Sequence, residues 1–125
     1  MITAYKLITG DDGHSHVLKG TLKENLLTQV VSLKVQESAP GSSLDWHNAP
    51  TTQFVINLEG TLEFTNWSGE SFILKPGEIL IAMDTKGTGH KWRIIDDAPW
   101  RRAYVLFTEE VNLHFEEEST ANQQQ

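Results

Sequence analysis

A chain of 125 residues and 14.1 kDa is long enough for one packed core and too short for two. Its 38% hydrophobic content excludes global disorder, the absence of cysteine excludes disulfides and thiolate metal sites, and ten scattered Lys and Arg residues offer no basic stripe for nucleic acid. The net charge is −7, of which five glutamates beyond residue 108 carry −5, so residues 1–108 hold only −2.

No apolar run approaches the ~20 residues that cross a bilayer, and residues 1–10 lack both a charged leader and a long apolar stretch. The expectation is a cytoplasmic protein with neither a membrane nor a nucleic-acid partner. In chain order, Leu22, Leu26 and Val30 recur at i, i+4, i+8 and allow a turn or two of helix. The β-branched pair Val30-Val31 then favours a strand. Short apolar runs follow over 29–37, 53–59, 61–66, 71–74, 79–83, 91–95 and 102–108, separated by turn pairs such as Pro40-Gly41, Glu59-Gly60, Ser68-Gly69 and Pro76-Gly77. Runs spaced this way predict an all-β sandwich or barrel. Val31, Leu33 and Val35 alternate with Ser32, Lys34 and Gln36, so one face of that strand should be buried. Residues 116–125 contain nothing to bury and are expected to form a disordered acidic and polar tail behind a single domain over 1–115.

Residues 41–60 read GSSLDWHNAPTTQFVINLEG. Gly41 is followed by five residues, then His47, Ala49 two positions on, Gln53 after three more residues and Gly60 after another six. This frame resembles the first motif of the cupin family, with two of its three metal ligands replaced. Residues 76–92, PGEILIAMDTKGTGHKW, resemble the second motif. Two residues separate Gly87 from His90, Thr85 stands in place of the motif's usual proline, and the upstream spacing is longer. The resemblance covers about residues 30–108, with its motif core over 41–95. It implies a small double-stranded β-helix, a jelly-roll barrel of two antiparallel sheets.

On a strand, residues of equal parity share a face, which groups His47 with Ala49, Gln53 with Val55 and Asn57, and His90 with Trp92 and Ile94. In cupins such faces point into the barrel. The resemblance therefore implies a pocket containing His47, Gln53, His90, Asn57 and Trp92, suited to a small polar organic ligand. It also implies a divalent transition metal held by three imidazoles and a carboxylate. Here Ala49 donates nothing and Gln53 offers a neutral carbonyl oxygen, so His47, Gln53 and His90 would bind such an ion weakly. Metal-free acid and base chemistry is the alternative, since a carboxylate beside an imidazole orients it for proton transfer. His47 and His90 are then the catalytic candidates, with Asp84 or Asp45 as partner. Asp84 has a competing structural role, accepting backbone hydrogen bonds in the turn Thr85–Gly89. Some metal-free sugar epimerases of the cupin superfamily use such a pair. Three functions thus stand open: ligand binding with little or no metal, a metal-dependent oxygenase or isomerase, and a metal-free isomerase or epimerase.

His14 and His16 share a parity that a metal could use, but GDDGHSH also reads as an exposed turn. His114 reads as a solvated surface residue. Trp46, of opposite parity to His47, should pack outside the barrel, and Trp67 and Trp100 read as core lids or interface anchors. An outward strip of Phe54, Ile56 and Leu58 would be an exposed apolar face, and a homodimer is expected to cover it. Asn48, Thr51 and Thr52 can satisfy backbone groups around Pro50. Arg101 and Arg102 read either as solvated residues beside a turn or as attractors of an anionic ligand.

Overall fold

In the computed structural model, which describes residues 1–118, every regular element is a strand. These are β1 (Ile2–Thr9), β2 (Ser15–Leu22), β3 (Ser32–Ser38), β4 (Ser43–His47), β5 (Gln53–Glu59) and β6 (Leu62–Asn66). They continue with β7 (Ser71–Leu74), β8 (Ile79–Met83), β9 (His90–Ile94), β10 (Trp100–Leu106) and β11 (Phe115–Glu117). Seven strands form one sheet in the order β11-β2-β1-β8-β5-β10-β3, and four form another in the order β4-β9-β6-β7. Pairing is antiparallel except where β1 runs parallel to β8. The result is the all-β architecture that the turn-separated runs predict, in the jelly-roll form that the cupin resemblance implies.

The period-two rule splits the large sheet into two buried faces. Leu7, Val55, Leu80 and Ala82 turn toward the small sheet and pack with Leu62, Phe64, Leu74, Trp92, Ile94 and Trp100. Ala4, Phe54 and Ile81 turn the other way and are covered by Phe107 and Leu113 of the C-terminal segment. This corrects the expectation of an open outward strip: Phe54 is only 7% exposed, whereas Leu58 remains 57% exposed. It also explains why β1 went unread in the sequence. With Ala4 buried on one face and Leu7 on the other, it shows no apolar alternation.

Three further expectations are corrected. Leu22 ends β2 and no helix follows it, because Leu26, Leu27 and Val30 are 51%, 94% and 50% exposed and have no surface to bury a helical face against. Asn25 also adopts a left-handed φ of 65°, which breaks a right-handed turn. In β3 the apolar residues are the uncovered ones, with Leu33 67% and Val35 70% exposed. Pairing sets this inversion: Lys34 lies opposite Tyr104, Gln36 opposite Arg102 and Ser38 opposite Trp100, so the polar face turns inward with those cavity residues. Finally, Glu116 and Glu117 belong to β11, paired with Thr21 and Gly20 of β2, so order extends past the expected boundary at residue 115. The rest of the expected tail, 119–125, lies outside the described residues.

Turn chemistry brings the two motif segments together. Gly89 has φ +73°, and a Cβ there would collide with the backbone carbonyl of His47. Only glycine allows the segment entering β9 to pass this close to the end of β4, which places His47 opposite His90 in the pairing.

Candidate functional site

Between the sheets lies a cavity of about 620 Å³, a volume in the range of small-molecule sites. His47 reaches it from the end of β4, Gln53 and Val55 from β5, His90 and Trp92 from β9, and Trp100, Arg102 and Tyr104 from β10. Four of the five expected ligand-binding residues therefore share one cavity. The fifth, Asn57, does not. It has the expected parity but sits deeper, where its amide donates to the carbonyl of Gly60 at 2.8 Å and accepts from Trp100 Nε1 at 3.0 Å. Asn57 is a core polar residue whose hydrogen bonds fix the indole of Trp100.

The two histidine rings meet at a centroid distance of 4.5 Å, edge to face. His90 is buried, and its Nδ1 lies 2.6 Å from Asp84 Oδ2. The same oxygen accepts from Ser15 Oγ at 2.7 Å. The expectation that Asp84 serves the turn Thr85–Gly89 is corrected by these two side-chain partners. Asp84 is fully buried, and its second oxygen, Oδ1, has no hydrogen-bond partner among the described residues. An unpaired buried carboxylate oxygen costs free energy. The contact orients the His90 ring with Nδ1 toward the carboxylate and leaves Nε2 turned away from it.

His47 is oriented differently. Its Nδ1 donates to the backbone carbonyl of Asp45 at 2.8 Å, while the Asp45 side chain accepts from Trp46 N–H at 2.9 Å. The candidate pair of His47 with the Asp45 carboxylate therefore does not form. Desolvation holds the His47 imidazole below its ordinary value of 6.5, and the nearby His90 ring pushes in the same direction. With a lowered folded value, the unfolded chain binds more protons just below pH 6.5, so the contribution of His47 to stability is complete above 6.5 and is lost as pH falls through its folded value. Chemical denaturation between pH 7.5 and 5 should show this decline, and His47→Gln should flatten it. An unchanged slope in the variant would exclude His47 as its source.

Gln53 is 6% exposed and lines the cavity. Its amide carries both a donor and an acceptor. Trp92 and Trp100 meet edge to face at 4.7 Å and form an apolar wall. Sequence reading left Trp100 as a lid or anchor and Arg102 as either a solvated residue or an attractor of an anionic ligand. The pattern Trp100-x-Arg102-x-Tyr104, three like-parity residues on one strand, was the available signal.

The other candidates, except Asn48, lie apart from this cavity. His16 Nε2 meets both carboxylate oxygens of Asp12 at 3.0 and 2.9 Å, and His14 Nδ1 meets Thr88 Oγ1 at 3.1 Å, so the two rings serve different partners. His114 is not simply solvated: its Nε2 lies 3.1 Å from the carbonyl of Leu27 and ties the 23–31 segment to the C-terminal one. Trp46 packs outside the barrel, edge to face with Trp67 at 5.0 Å. Asn48 and Thr52 bond the carbonyls of Gly87 and Phe107.

The four positions equivalent to the cupin metal ligands carry His47, Ala49, Gln53 and His90. Each imidazole keeps Nε2 for a ligand, but Ala49 offers no donor and Gln53 offers no charge. No group of three or more His, Cys, Asp or Glu side chains among the described residues is arranged to hold a metal ion. This donor set does not fit a resident divalent metal, which needs at least three good ligands.

Comparison with known proteins agrees with the fold. The profile of the Cupin domain family matches residues 34–105. The chain is 35% identical over 77 residues to a cupin-domain-containing oxidoreductase, srdB, of Neurospora crassa, covering 61% of this chain and 38% of that protein. It is 33% identical over 67 residues to the oryzines biosynthesis cluster protein J of Aspergillus oryzae, covering 54% of this chain and 36% of the other. Phomopsin biosynthesis cluster protein C' of Diaporthe leptostromiformis is 30% identical over 77 residues, covering 62% and 39%. The matched stretch thus spans under two-fifths of each of these relatives. No helix among the described residues is long and apolar enough to cross a membrane. Fold, motif frame and family profile converge on one assignment: this chain belongs to the cupin family.

Proposed function

We propose that the cavity binds a small polar organic molecule without a tightly held metal, and that His90, held by Asp84, moves a proton on it. The observation that carries this reading is the buried contact of 2.6 Å between Asp84 and His90 at the cavity wall. His90 Nε2 takes a proton from the ligand, the Asp84 carboxylate stabilises the resulting imidazolium, and the proton returns to the same or a neighbouring atom. No oxidant or reductant is consumed. Gln53 positions a polar group of the ligand through its amide, and Trp92 supplies an apolar wall.

Deuterium uptake into hydroxy and keto acids incubated with the protein in D₂O tests the reaction. The native chain should catalyse exchange, and His90→Gln should reduce it by about 10²- to 10⁴-fold. Exchange that persists in the variant removes His90 from this role. Redox chemistry at a bound metal is the second reading, favoured by the printed name of the Neurospora relative and opposed by the donor set. Elemental analysis after chelator-free purification separates the two. Substoichiometric metal that leaves on dialysis supports the metal-free reading, and one retained equivalent supports the other.

The open edge of the large sheet supports a homodimer. Leu33, Val35 and Leu58 leave an apolar strip exposed at β3 and β5, and unpaired sheet edges favour pairing with another chain. Light scattering should give about twice the 14.1 kDa chain mass.

A further inference from the structure

Adjacent arginines on β10 have opposite environments. Arg101 is exposed and paired with Glu37 at 2.9 Å and Glu59 at 2.8 Å. Arg102 is 3% exposed, and no carboxylate among the described residues lies within the 4.0 Å of an ion pair. Its contacts are neutral: Nε donates to Tyr104 Oη at 2.9 Å, and one terminal nitrogen donates to Ser38 Oγ at 2.8 Å and to the Trp100 carbonyl at 3.1 Å. The guanidinium carbon lies 3.8 Å from the centre of the Trp100 ring. These contacts leave the second terminal nitrogen without a protein acceptor among the described residues. A desolvated guanidinium held by neutral oxygens and aromatic faces remains short of a counter-charge.

The cavity beside Arg102 offers none. Its lining contains the cations Lys34 and Arg102 but no aspartate or glutamate, although the chain carries 17 acidic against 10 basic residues. Asp84 is outside the lining, fully buried and engaged with His90 and Ser15. Low-dielectric walls concentrate the positive field of such a lining in the cavity.

We propose that Arg102 is the anion receptor of the cavity and that the ligand is an organic acid whose carboxylate sits against the open edge of the guanidinium. Planar guanidinium and carboxylate groups match in geometry. The aromatic walls of Trp92, Trp100 and Phe64 and the volume of about 620 Å³ provide for an organic body beyond the charge. The assignment rests on the reading of this cavity as a small-molecule site and gives the ligand its charge. It also sets a polarity for the site, with the anion at β10 and the proton-transferring nitrogen at β9.

Calorimetric and thermal-shift titrations of the full chain with benzoate, mandelate and indole-3-acetate, their neutral amides, and phenylphosphonate test this directly. At least one carboxylate should bind about 10- to 100-fold more tightly than its amide. Arg102→Gln should remove that preference while amide binding persists, and Arg102→Lys should restore it in part. Equal affinity of acid and amide for the native chain overturns the role of Arg102 and leaves the small-molecule reading intact. Preference for phenylphosphonate over every carboxylate overturns the carboxylate assignment. Failure of all the acids and amides to bind overturns both the charge assignment and the cavity reading. The acid-to-amide ratio is measured on the native chain, so the test stands even where an Arg102 variant fails to fold.

Discussion

Trp100→Ala is expected to lower the unfolding free energy by about 3–5 kcal/mol, the range for truncating a large aromatic side chain in a core. Trp100 is 2% exposed and joins three parts of the structure. Its ring packs edge-on against Trp92 and Phe64, its Nε1–H donates to the buried Asn57, and its face carries the Arg102 guanidinium. Alanine would leave a cavity, strand the Asn57 oxygen and expose one face of a buried cation. Trp100→Phe keeps most of the apolar area but loses the donor, and should cost about 1–3 kcal/mol. Denaturant unfolding followed by circular dichroism measures both. A loss below about 1 kcal/mol for the alanine variant would show that the site does not depend on this residue.

Asp84→Asn should have the opposite profile, a large chemical effect with a small stability change. The amide is nearly isosteric, but it lacks the charge that stabilises an imidazolium, and where its amino group rather than its oxygen faces His90 it favours the wrong ring tautomer. In a serine-protease triad the equivalent change costs about 10⁴-fold, so deuterium exchange into a bound ligand should fall by about 10³- to 10⁴-fold. Stability should change by less than about 2 kcal/mol, because the native carboxylate already has an unpaired buried oxygen. Nitrogen-15 shifts of the His90 ring would report the tautomer directly. Undiminished exchange with an unchanged tautomer would show that Asp84 serves packing alone.

The candidate site was legible where it depended on spacing along one segment. The frame Gly41, His47, Ala49, Gln53, Gly60 was enough to identify the resemblance, and the period of two put Gln53 and Val55 on one face of β5 and His90 and Trp92 on one face of β9. The same rule misplaced Asn57, because parity specifies a face and not a depth along the barrel. It also could not choose between Asp45 and Asp84 as the partner of a histidine. The choice follows from the path of the backbone, which turns the Asp45 carbonyl toward His47 and brings the Asp84 side chain to His90 and Ser15. Ser15 was invisible as a site residue, since nothing local to GDDGHSH marks it for burial 69 positions from its partner.

Alternation and turn residues in the sequence by themselves determined an all-β chain and the positions of most strands, because these are properties of neighbouring residues; the replacement of two expected metal ligands came from the resemblance to the cupin motif. Only the tertiary structure decided which face of each strand meets the cavity. Pairing with β10 turned the polar side of β3 inward and left Leu33 and Val35 outside. The same pairing buried Arg102 away from any carboxylate while its neighbour Arg101 found two. Burial and charge compensation depend on which distant strands lie side by side, and hydrogen bonding between strands sets that register.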